Sequence, residues 1–367
     1  MPTIYLHVGT AKTGTSALQN FVCENLERLE EHGYYYPQTG RVLDCHHGIA
    51  FFWGDHDAFK KKFGIREDQL SRLAEEMRIN RDKHILISSE CLLLSTVDWE
   101  GFLSIFPHNN IKMIIYLRRQ DAFISSRYRE LVKGNQITQP PEEWIKTNFY
   151  PNEYTGILNR LSEYVGKENI IVRAYEKQQF KDGSIYSDFC DIFSIPLTQD
   201  FIISEKNFNP HLSRNALEFN RLLNTVFDAK SSPYIFSGLL THYSLIERPD
   251  KNKAFQDQGL FSPEKRIEIL EACKSVNQKI AREYLGRENG ELFRDPPPIP
   301  NEPWMPYPGL SEDVTDKIAS FLYQKNPDLI VKFYHELQET ESADLYLQEA
   351  KETILPSLLK VIPSSDK

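Results

Sequence analysis

The chain has little cysteine, and none of it stands at the spacing that metal or redox sites use. Its 367 residues include five cysteines, and no two of them form a C-x-x-C pair. An odd, scattered set argues against a disulfide framework and against a zinc site built on cysteine pairs. We therefore expect reduced thiols, most of them buried.

Long apolar runs are also missing. No stretch approaches the ~20 apolar residues that a membrane-spanning helix needs, and no basic-then-apolar leader precedes the first apolar segment. We expect no membrane span and a cytoplasmic protein of bacterial type.

The chain lacks an excess of positive charge, because its formal net charge is −9. This argues against general binding of nucleic acid or anionic membranes, so an anionic ligand must be met by a local group of cations. Hydrophobic residues make up 40% and aromatic residues 12% of the chain, which is normal for a packed enzyme and excludes a disordered protein. No internal repeat is evident.

What the sequence does have is a strand, a glycine loop and a helix in direct succession near its start. Residues 4–8 are a short apolar run typical of a buried parallel strand. Residues 9–16 read GTAKTGTS, and apolar residues then recur at helical spacing through residue 29. Such a loop directs several backbone N–H groups and the positive end of a helix dipole at one point, which predicts an anion site.

The position of the lysine in this loop indicates which anion it binds. Nucleotide triphosphatases use G-x-x-x-x-G-K-[ST], with lysine directly after the second glycine. Gly9 and Gly14 keep that spacing, but Thr15 follows Gly14 and the lysine lies inside the loop as Lys12. From there it can meet the bridging oxygen of a shorter 5′ group rather than a γ-phosphate.

A second motif follows the most apolar strand, residues 111–117. Arg118 ends that strand, and Ser126 comes eight residues later in the next helix. An arginine fork and a hydroxyl in this arrangement can converge on one phosphate. We interpret the other arginines nearby, Arg119, Arg127 and Arg129, as solvated charges.

Three residues are candidates for a proton acceptor. Glu90 ends the strand at residues 84–89, and ligands of open α/β sheets lie beyond the carboxyl ends of strands. His46 and His47 lie between the first strand and this one. Adjacent histidines with no further ligand at metal spacing argue against a metal site, and surface or capping histidines are the bland interpretation. Glu90 also resembles the magnesium-linked acid of P-loop nucleotidases, which keeps a second enzyme class open.

Residues 9–16 resemble the 5′-phosphosulfate-binding loop of sulfotransferases that use 3′-phosphoadenosine 5′-phosphosulfate (PAPS), and R-x₇-S resembles their 3′-phosphate site. With the S-S-E strand end and the late helices, residues 3–293 resemble bacterial proteins related to carbohydrate sulfotransferases. The resemblance implies PAPS as the donor, adenosine 3′,5′-bisphosphate (PAP) as the product and no metal. It implies that Arg118 and Ser126 hold the 3′-phosphate. By position, the 5′-phosphosulfate would be held by Gly9, Thr10, Ala11, Lys12, Thr13, Gly14, Thr15 and Ser16.

The resemblance leaves the base open. Cytosolic members have a histidine at the strand end where Glu90 stands, and heparan-type members use a glutamate from the earlier loop, where His46 and His47 stand. The base is therefore Glu90 or His47, while Lys12 stabilises charge on the leaving oxygen. The partner is a hydroxyl-bearing acceptor, for which a glycan is favoured.

The predicted fold is α/β, a P-loop-type three-layer sandwich with a central parallel sheet of about five strands. Its strands are predicted at residues 4–8, 34–36, 84–89, 111–117 and 169–175, and one long helix at 263–285 after the cap Ser262. We divide the chain into a catalytic domain at 1–294, a stiff linker with seven prolines at 295–310, and a helical C-terminal extension at 311–367. Self-association of the protein would use the helices of that extension.

Two other functions stay open. A P-loop kinase would bind ATP with magnesium. A catalytically inactive protein of the same fold would bind a glycan or serve as a scaffold, although Lys12, Arg118 and a candidate base argue against it.

Overall fold

The computed structural model describes residues 2–10, 12–53, 60–61, 64–65, 68–94, 96–106, 110–134, 136–204, 211–227, 234–247 and 259–364. Five strands form one sheet in the order β2-β3-β1-β4-β5, and every neighbouring pair is parallel. The strands are β1 Thr3–His7, β2 Tyr34–Tyr35, β3 His84–Ser88, β4 Asn110–Leu117 and β5 Ile170–Ala174. The predicted α/β fold with a five-stranded parallel sheet is confirmed.

Helices connect and follow these strands. In chain order they are α1 Thr15–Glu24, α2 Leu26–Glu31, α3 His47–Phe52, α4 Gln69–Ile79, α5 Trp99–Ser104, α6 Gln120–Lys133, α7 Pro141–Asn148, α8 Glu153–Val165, α9 Ile185–Ile192, α10 Arg214–Leu223, α11 Ser237–Glu247, α12 Pro263–Leu285, α13 Glu312–Lys325, α14 Pro327–Glu339 and α15 Leu345–Val361. Short 3₁₀ turns lie at Glu90–Leu93, Lys167–Asn169, Lys177–Gln179 and Lys181–Gly183. None of these helices combines the length and apolarity that crossing a membrane requires.

Each face of the sheet is covered, which explains why the strands read as apolar runs rather than as alternating patterns. Ile4 and Leu6 of β1 pack into one buried cluster with residues of α3, α5, α8 and α12. Tyr5, between them, packs into a second cluster with residues of α1, α2 and α9. Neighbouring residues of a strand face opposite sides, so the sheet is the middle of three layers.

The helix predicted to continue to residue 29 is broken at Asn25. The Asn25 side chain donates to the Phe21 carbonyl at 2.7 Å, and it both donates to and accepts from the backbone of Ile202. These bonds compete with the helical hydrogen-bond ladder. The result is the two helices α1 and α2.

The chain forms two compact units, each discontinuous in sequence. The first contains Met1–Phe123, Tyr150–Phe208 and Glu268–Pro297, and it holds the whole sheet. The second contains Ile124–Phe149, Asn209–Ile267 and Pro298–Lys367. Within the second unit, helices α10, α11, α13 and α15 pack on one another.

The proline-rich segment, residues 295–310, has no helix or strand. Two of the segment's own side chains bond it to other residues of the second unit. Trp304 Nε1 donates to the Gly259 carbonyl at 2.9 Å, and the Tyr307 hydroxyl donates to Asn215 Oδ1 at 2.7 Å. Its part in the second unit is therefore bonded to that unit's own residues.

Candidate anion and proton-transfer site

The glycine loop, residues 9–16, follows β1 directly. The backbone N–H groups of Val8 and Gly9 donate to the Ile114 carbonyl of β4, at 3.0 and 3.4 Å. Gly9 has φ of +43°, and a Cβ there would lie 2.5 Å from Thr15 Cγ2. Both the backbone conformation and the space at this position thus require glycine.

Hydroxyl groups inside the loop stabilise its turn. Thr10 Oγ1 donates to the Tyr116 carbonyl at 2.9 Å, and Thr13 Oγ1 donates to the Thr10 carbonyl at 2.5 Å. Thr10, Thr13 and Thr15 are buried, whereas Ser16 is exposed. Ala11 lies outside the described residues. These threonine side chains therefore shape the loop.

The start of α1 leaves backbone donors available. Gly14, with φ of +77°, precedes the helix without a side-chain cap, and the first turn contains no acidic residue. Within the described part of the chain, no acceptor meets the backbone N–H groups of Gly14, Thr15 or Ser16. Such donors at the positive end of a helix dipole bind an oxyanion well.

Lys12 occupies a strained position in this loop. Its φ is +68°, a conformation that non-glycine residues rarely adopt. The Lys12 carbonyl accepts a hydrogen bond of 3.0 Å from Arg118 Nη1. The residue that carries the loop's cation is thus held by the arginine of the second motif.

Arg118 is a half-buried cation without a carboxylate ion-pair partner among the described residues. Its guanidinium lies 5.8 Å from the centre of the Tyr175 ring, and burial lowers the pKa of Arg118. The Tyr154 hydroxyl donates to the Arg118 carbonyl at 2.6 Å and fixes the backbone there. A half-buried arginine whose described hydrogen bond goes to a carbonyl and not to a carboxylate is suited to an anionic ligand.

Arg119 differs from its neighbour and from our prediction of a solvated charge. Its guanidinium makes a two-pronged ion pair with the buried Asp121, at 2.8 and 3.0 Å. It also donates to the carbonyls of Asp295 and Pro296. Arg119 is a structural arginine, because its charge is already compensated.

Ser126, the second half of the R-x₇-S motif, is in the second unit, whereas Arg118 is in the first. Ser126 is 4% exposed, and its Oγ has no hydrogen-bond partner in the described part of the chain. Buried hydroxyls are normally bonded, so this one is available to a ligand. Its pairing with Arg118 on one phosphate stays a prediction.

His46 and His47 have different surroundings. His46 is fully buried; its Nδ1 accepts from the Ser88 N–H at 3.1 Å, and its Nε2 lies 2.9 Å from the Pro37 carbonyl. A carbonyl only accepts, so Nε2 carries the proton. Burial lowers the pKa of His46 to about 3. Since both ring nitrogens are used, His46 is neutral and ties the loop before α3 to β3.

His47 lies beside Glu90. Its Nε2 is 4.0 Å from Glu90 Oε1, and its Nδ1 is 2.8 Å from Ser89 Oγ. Burial lowers the pKa of His47, although Glu90 opposes the shift. Each of the two side chains is 23% exposed. The structure thus brings together the two residues between which sequence reasoning did not choose.

Glu90 is connected to the helix that follows the glycine loop, and its neighbour Ser89 is connected to the strand before that loop. Gln19 of α1 donates from Nε2 to Glu90 Oε2 at 2.9 Å. The Ser89 N–H donates to the His7 carbonyl at the end of β1, at 3.0 Å. Because β1 lies between β3 and β4, the loop after β1, Glu90 after β3 and Arg118 after β4 share one edge of the sheet.

Sequence reasoning missed His7, the last residue of β1. Its Nδ1 is 2.8 Å from Ser88 Oγ, while its buried Nε2 has no partner in the described part of the chain. Burial lowers the pKa of His7 to about 4. The position of His7 in an apolar run could have identified it from the sequence, because a polar side chain in a strand covered on both faces must find a partner.

Among the described residues, no group of histidine, cysteine, aspartate or glutamate side chains could hold a metal ion. The five cysteines are free, and burial raises the pKa of Cys45 and of Cys91, which flank the site in sequence, to about 12. These thiols are therefore protonated at neutral pH and unreactive.

Comparisons with known proteins give few matches to this sequence. No protein-family model matches it. An uncharacterized protein of Archaeoglobus fulgidus is 28% identical over 236 residues, which are 59% of this chain and 60% of the archaeal protein. The chain thus matches less than two thirds of that protein's length. A solved sulfotransferase from Alicyclobacillus acidocaldarius is 20% identical, with a TM-score of 0.37, over 57% of this chain and 87% of its own. A likeness at that TM-score carries no argument about activity.

Proposed function

We propose that the chain is a sulfotransferase that moves a sulfuryl group from PAPS to a hydroxyl group of an acceptor. A glycan is the favoured acceptor. One observation carries the proposal. A glycine loop with its lysine inside is bonded through that lysine's carbonyl to Arg118, a half-buried arginine that forms no ion pair with a carboxylate in the described part of the chain. This joins a 5′-anion site to a cation suited to a second phosphate of the same ligand.

The residues present fit a nucleotide with a 5′-phosphosulfate and a 3′-phosphate. The backbone N–H groups of Gly14, Thr15 and Ser16 would hold the 5′ end, with the Lys12 ammonium beside them. Arg118 would hold the 3′-phosphate, together with the unpartnered hydroxyl of Ser126. The lysine ammonium is a point charge, which suits a bridging oxygen. The arginine guanidinium is a planar fork of donors, which suits a terminal phosphate.

Bound PAPS would supply the sulfuryl group, and the protein would position it and handle the proton. The acceptor oxygen forms a bond to sulfur as the bond between sulfur and the 5′-phosphate oxygen breaks. That phosphate oxygen keeps the electron pair, which the Lys12 ammonium stabilises. The acceptor proton passes to His47 Nε2.

His47 is the better proton acceptor of the pair. Its lowered pKa keeps the imidazole neutral at pH 7, so a ring nitrogen can accept. When Nδ1–H donates to Ser89 Oγ, the lone pair is on Nε2, the nitrogen 4.0 Å from Glu90. Glu90 then stabilises the imidazolium that forms, and Gln19 holds the carboxylate in place.

A P-loop kinase remains the second candidate, because Glu90 ends the strand next to β1, where nucleotidases place a magnesium-linked acid. Two observations disfavour it. Lys12 lies inside the loop, away from a γ-phosphate. The Glu90 carboxylate is engaged by Gln19 and lies against His47.

Transfer of ³⁵S from labelled PAPS to a panel of glycans and simple phenols tests the proposal. We expect transfer to at least one hydroxyl acceptor, and a loss of about 10²–10⁴-fold in kcat for His47→Gln. The exposed His32, in the same unit, gives the matched control His32→Gln, which should leave the rate unchanged. Labelling of an acceptor by γ-³²P-ATP with magnesium, and none by PAPS, would establish the kinase instead.

A further inference from the structure

The second unit contains a cavity of about 320 Å³ that is built from its own residues. Its walls are the start of α7, one side of α10, residue 349 of α15, and residues 306–309 of the proline-rich segment. This volume is at the lower end of the ~300–1,000 Å³ of small-molecule sites. None of the residues of the proposed donor site lines it.

Arg221 of α10 organises the polar part of this second-unit cavity. It is 1% exposed, its guanidinium makes ion pairs of 2.7 Å with Glu218 and Glu349, and its Nη1 donates to the Thr138 carbonyl at 2.6 Å. These bonds fix the orientation of both carboxylates. Glu349 is 42% exposed, and only its Oε1 bonds Arg221, so its other oxygen can accept from a ligand.

Tyr307 supplies an aromatic surface of defined orientation. Its hydroxyl donates to Asn215 Oδ1 at 2.7 Å, and the Arg214 guanidinium lies 5.5 Å from the centre of its ring. Pro306 and Pro308 on either side are exposed and also line the cavity. The wall therefore combines rigid apolar surfaces with an arginine that can donate hydrogen bonds.

The charge of the lining limits what can bind. Three glutamates, Glu142, Glu218 and Glu349, face two arginines, Arg214 and Arg221, which leaves an excess of one negative charge. A phosphate or sulfate ester would therefore be disfavoured, and a purely apolar ligand would leave these charged groups without solvent. The cation position over the Tyr307 ring is already filled by Arg214. An organic ammonium ion is thus disfavoured as well, because the Arg214 guanidinium already occupies the position that it would take.

We propose that this cavity binds a neutral sugar. A pyranose ring offers an apolar C–H face for the tyrosine and proline surfaces, and hydroxyls at its edge that donate to carboxylates and accept from arginine. The oriented Glu349 and the exposed Glu142 are the acceptors, and Arg214 is the donor. The site stands apart from the proposed sulfuryl transfer, because it shares no residue with the loop, Arg118 or the His47–Glu90 pair.

Calorimetric titration of the full chain with cellobiose, maltose, lactose and chitobiose tests this inference. We expect at least one disaccharide to bind with a dissociation constant on the order of 1 mM or below. Tyr307→Ala should weaken that binding at least tenfold, and Glu349→Gln several-fold. Glu142→Gln changes an exposed side chain and should fold normally; it should also weaken sugar binding.

Glu352→Gln is the matched control, since Glu352 is exposed on the same helix as Glu349 and does not line the cavity. It should leave sugar binding unchanged, and PAP binding should be unaffected in all four variants. The inference is overturned if choline or spermidine binds and no sugar does, or if no disaccharide binds. Sugar binding that survives Tyr307→Ala, Glu349→Gln and Glu142→Gln alike would assign the sugar to another site and overturn it equally.

Discussion

His47 lies beside Glu90 with its Nδ1 against Ser89 Oγ, and burial lowers its pKa from the usual 6.5. A base must be deprotonated to act, so activity falls as the pH drops through its pKa. We expect the acid limb of kcat/KM for sulfuryl transfer to lie below pH 6.5. The measurement is a pH–rate profile of the wild type and of Glu90→Gln.

The profile of Glu90→Gln is informative because Glu90 raises the pKa of His47. Removing that charge should move the acid limb to lower pH and reduce the rate. An acid limb above pH 6.5, or one that Glu90→Gln leaves in place, would contradict the assignment of His47 as the base.

His7 makes the stability of the fold depend on pH. Its pKa is lowered from 6.5 to about 4 by burial, so the unfolded chain binds more protons between these values. Stability is thus fully present above pH 6.5 and is lost as the pH falls toward 4. From pH 6.5 to 4.5 this residue should contribute a loss of about 2 kcal/mol in the free energy of unfolding.

Urea unfolding of the wild type and of His7→Asn at several pH values measures this contribution. Asparagine keeps a polar atom toward Ser88 and does not titrate. The free energy of unfolding of His7→Asn should fall less steeply with decreasing pH. His46, with a pKa of about 3, acts in the same direction in both proteins. Parallel curves for wild type and variant would show that His7 does not titrate as its burial requires.

The sequence was informative at this scale where a residue's role follows from its position in a motif. Lys12 and Arg118 were proposed from spacing, and the structure joins them through the Lys12 carbonyl. Their shared ligand stays a prediction. His46 and His47 were not separable, because their partners are the Ser88 backbone N–H at the end of β3 and the hydroxyl of Ser89 just after it, about 40 residues away in the chain. Arg119 was misjudged because the pairing geometry of Asp121 is not evident from spacing.

At the scale of elements, the turn from β1 into α1 requires Gly14. It has φ of +77°, and a Cβ there would lie 2.6 Å from Ile185 Cδ1 and 3.1 Å from the Tyr175 ring. We expect Gly14→Ala to lower the free energy of unfolding by about 2 kcal/mol. It should also weaken PAP binding, since the N–H groups of the loop would move.

Gly33 separates the cost of backbone strain from the cost of crowding around a new Cβ. Its φ is +82°, yet nothing lies within 4 Å of the position of its Cβ. Gly33→Ala should therefore cost only the backbone strain, about 1 kcal/mol, and leave PAP binding unchanged. Equal losses in urea unfolding for the two variants would mean that the packing of the turn against Tyr175 and Ile185 is unimportant.

The strands were predictable because a parallel sheet covered on both faces needs continuous apolar runs, and all five predicted runs became strands. The long helix α12 also begins and ends as predicted, at Pro263 and Leu285. The break at Asn25 was not predictable. It depends on Ile202, which is 177 residues away in sequence.

At the scale of the whole molecule, the C-terminal helices belong to the packing of the second unit. Phe333 of α14 packs on Phe227 and Phe236, with ring centres 5.7 and 5.9 Å apart. Glu349 of α15 pairs with the buried Arg221. Removal of these helices would expose two phenylalanines and leave a buried charge with one partner fewer.

Deletion of residues 311–367 should therefore abolish the cooperative unfolding of the second unit. Differential scanning calorimetry of the full chain and of the deletion measures this directly. We expect the deleted chain either to aggregate or to lose a larger fraction of the unfolding enthalpy than the fraction of residues that was removed. An intact transition would show that residues 311–367 are a separable extension. The predicted boundary at residue 310 rested on proline content, which does not reveal which helices the following segment packs against.

The central proposal is that the loop, Arg118 and Ser126 bind one nucleotide with phosphates at its 5′ and 3′ positions. The most direct measurement is calorimetric titration with PAP, without metal, against ATP with magnesium. The proteins are the wild type, Arg118→Ala, Ser126→Ala and the control Arg78→Ala, which changes an exposed arginine of the same unit.

We predict metal-free PAP binding that Arg78→Ala preserves and Arg118→Ala abolishes. Ser126→Ala should weaken binding about tenfold without destabilising the free protein, because its buried Oγ bonds no described group. Binding of ATP with magnesium in the absence of any PAP binding would contradict the account.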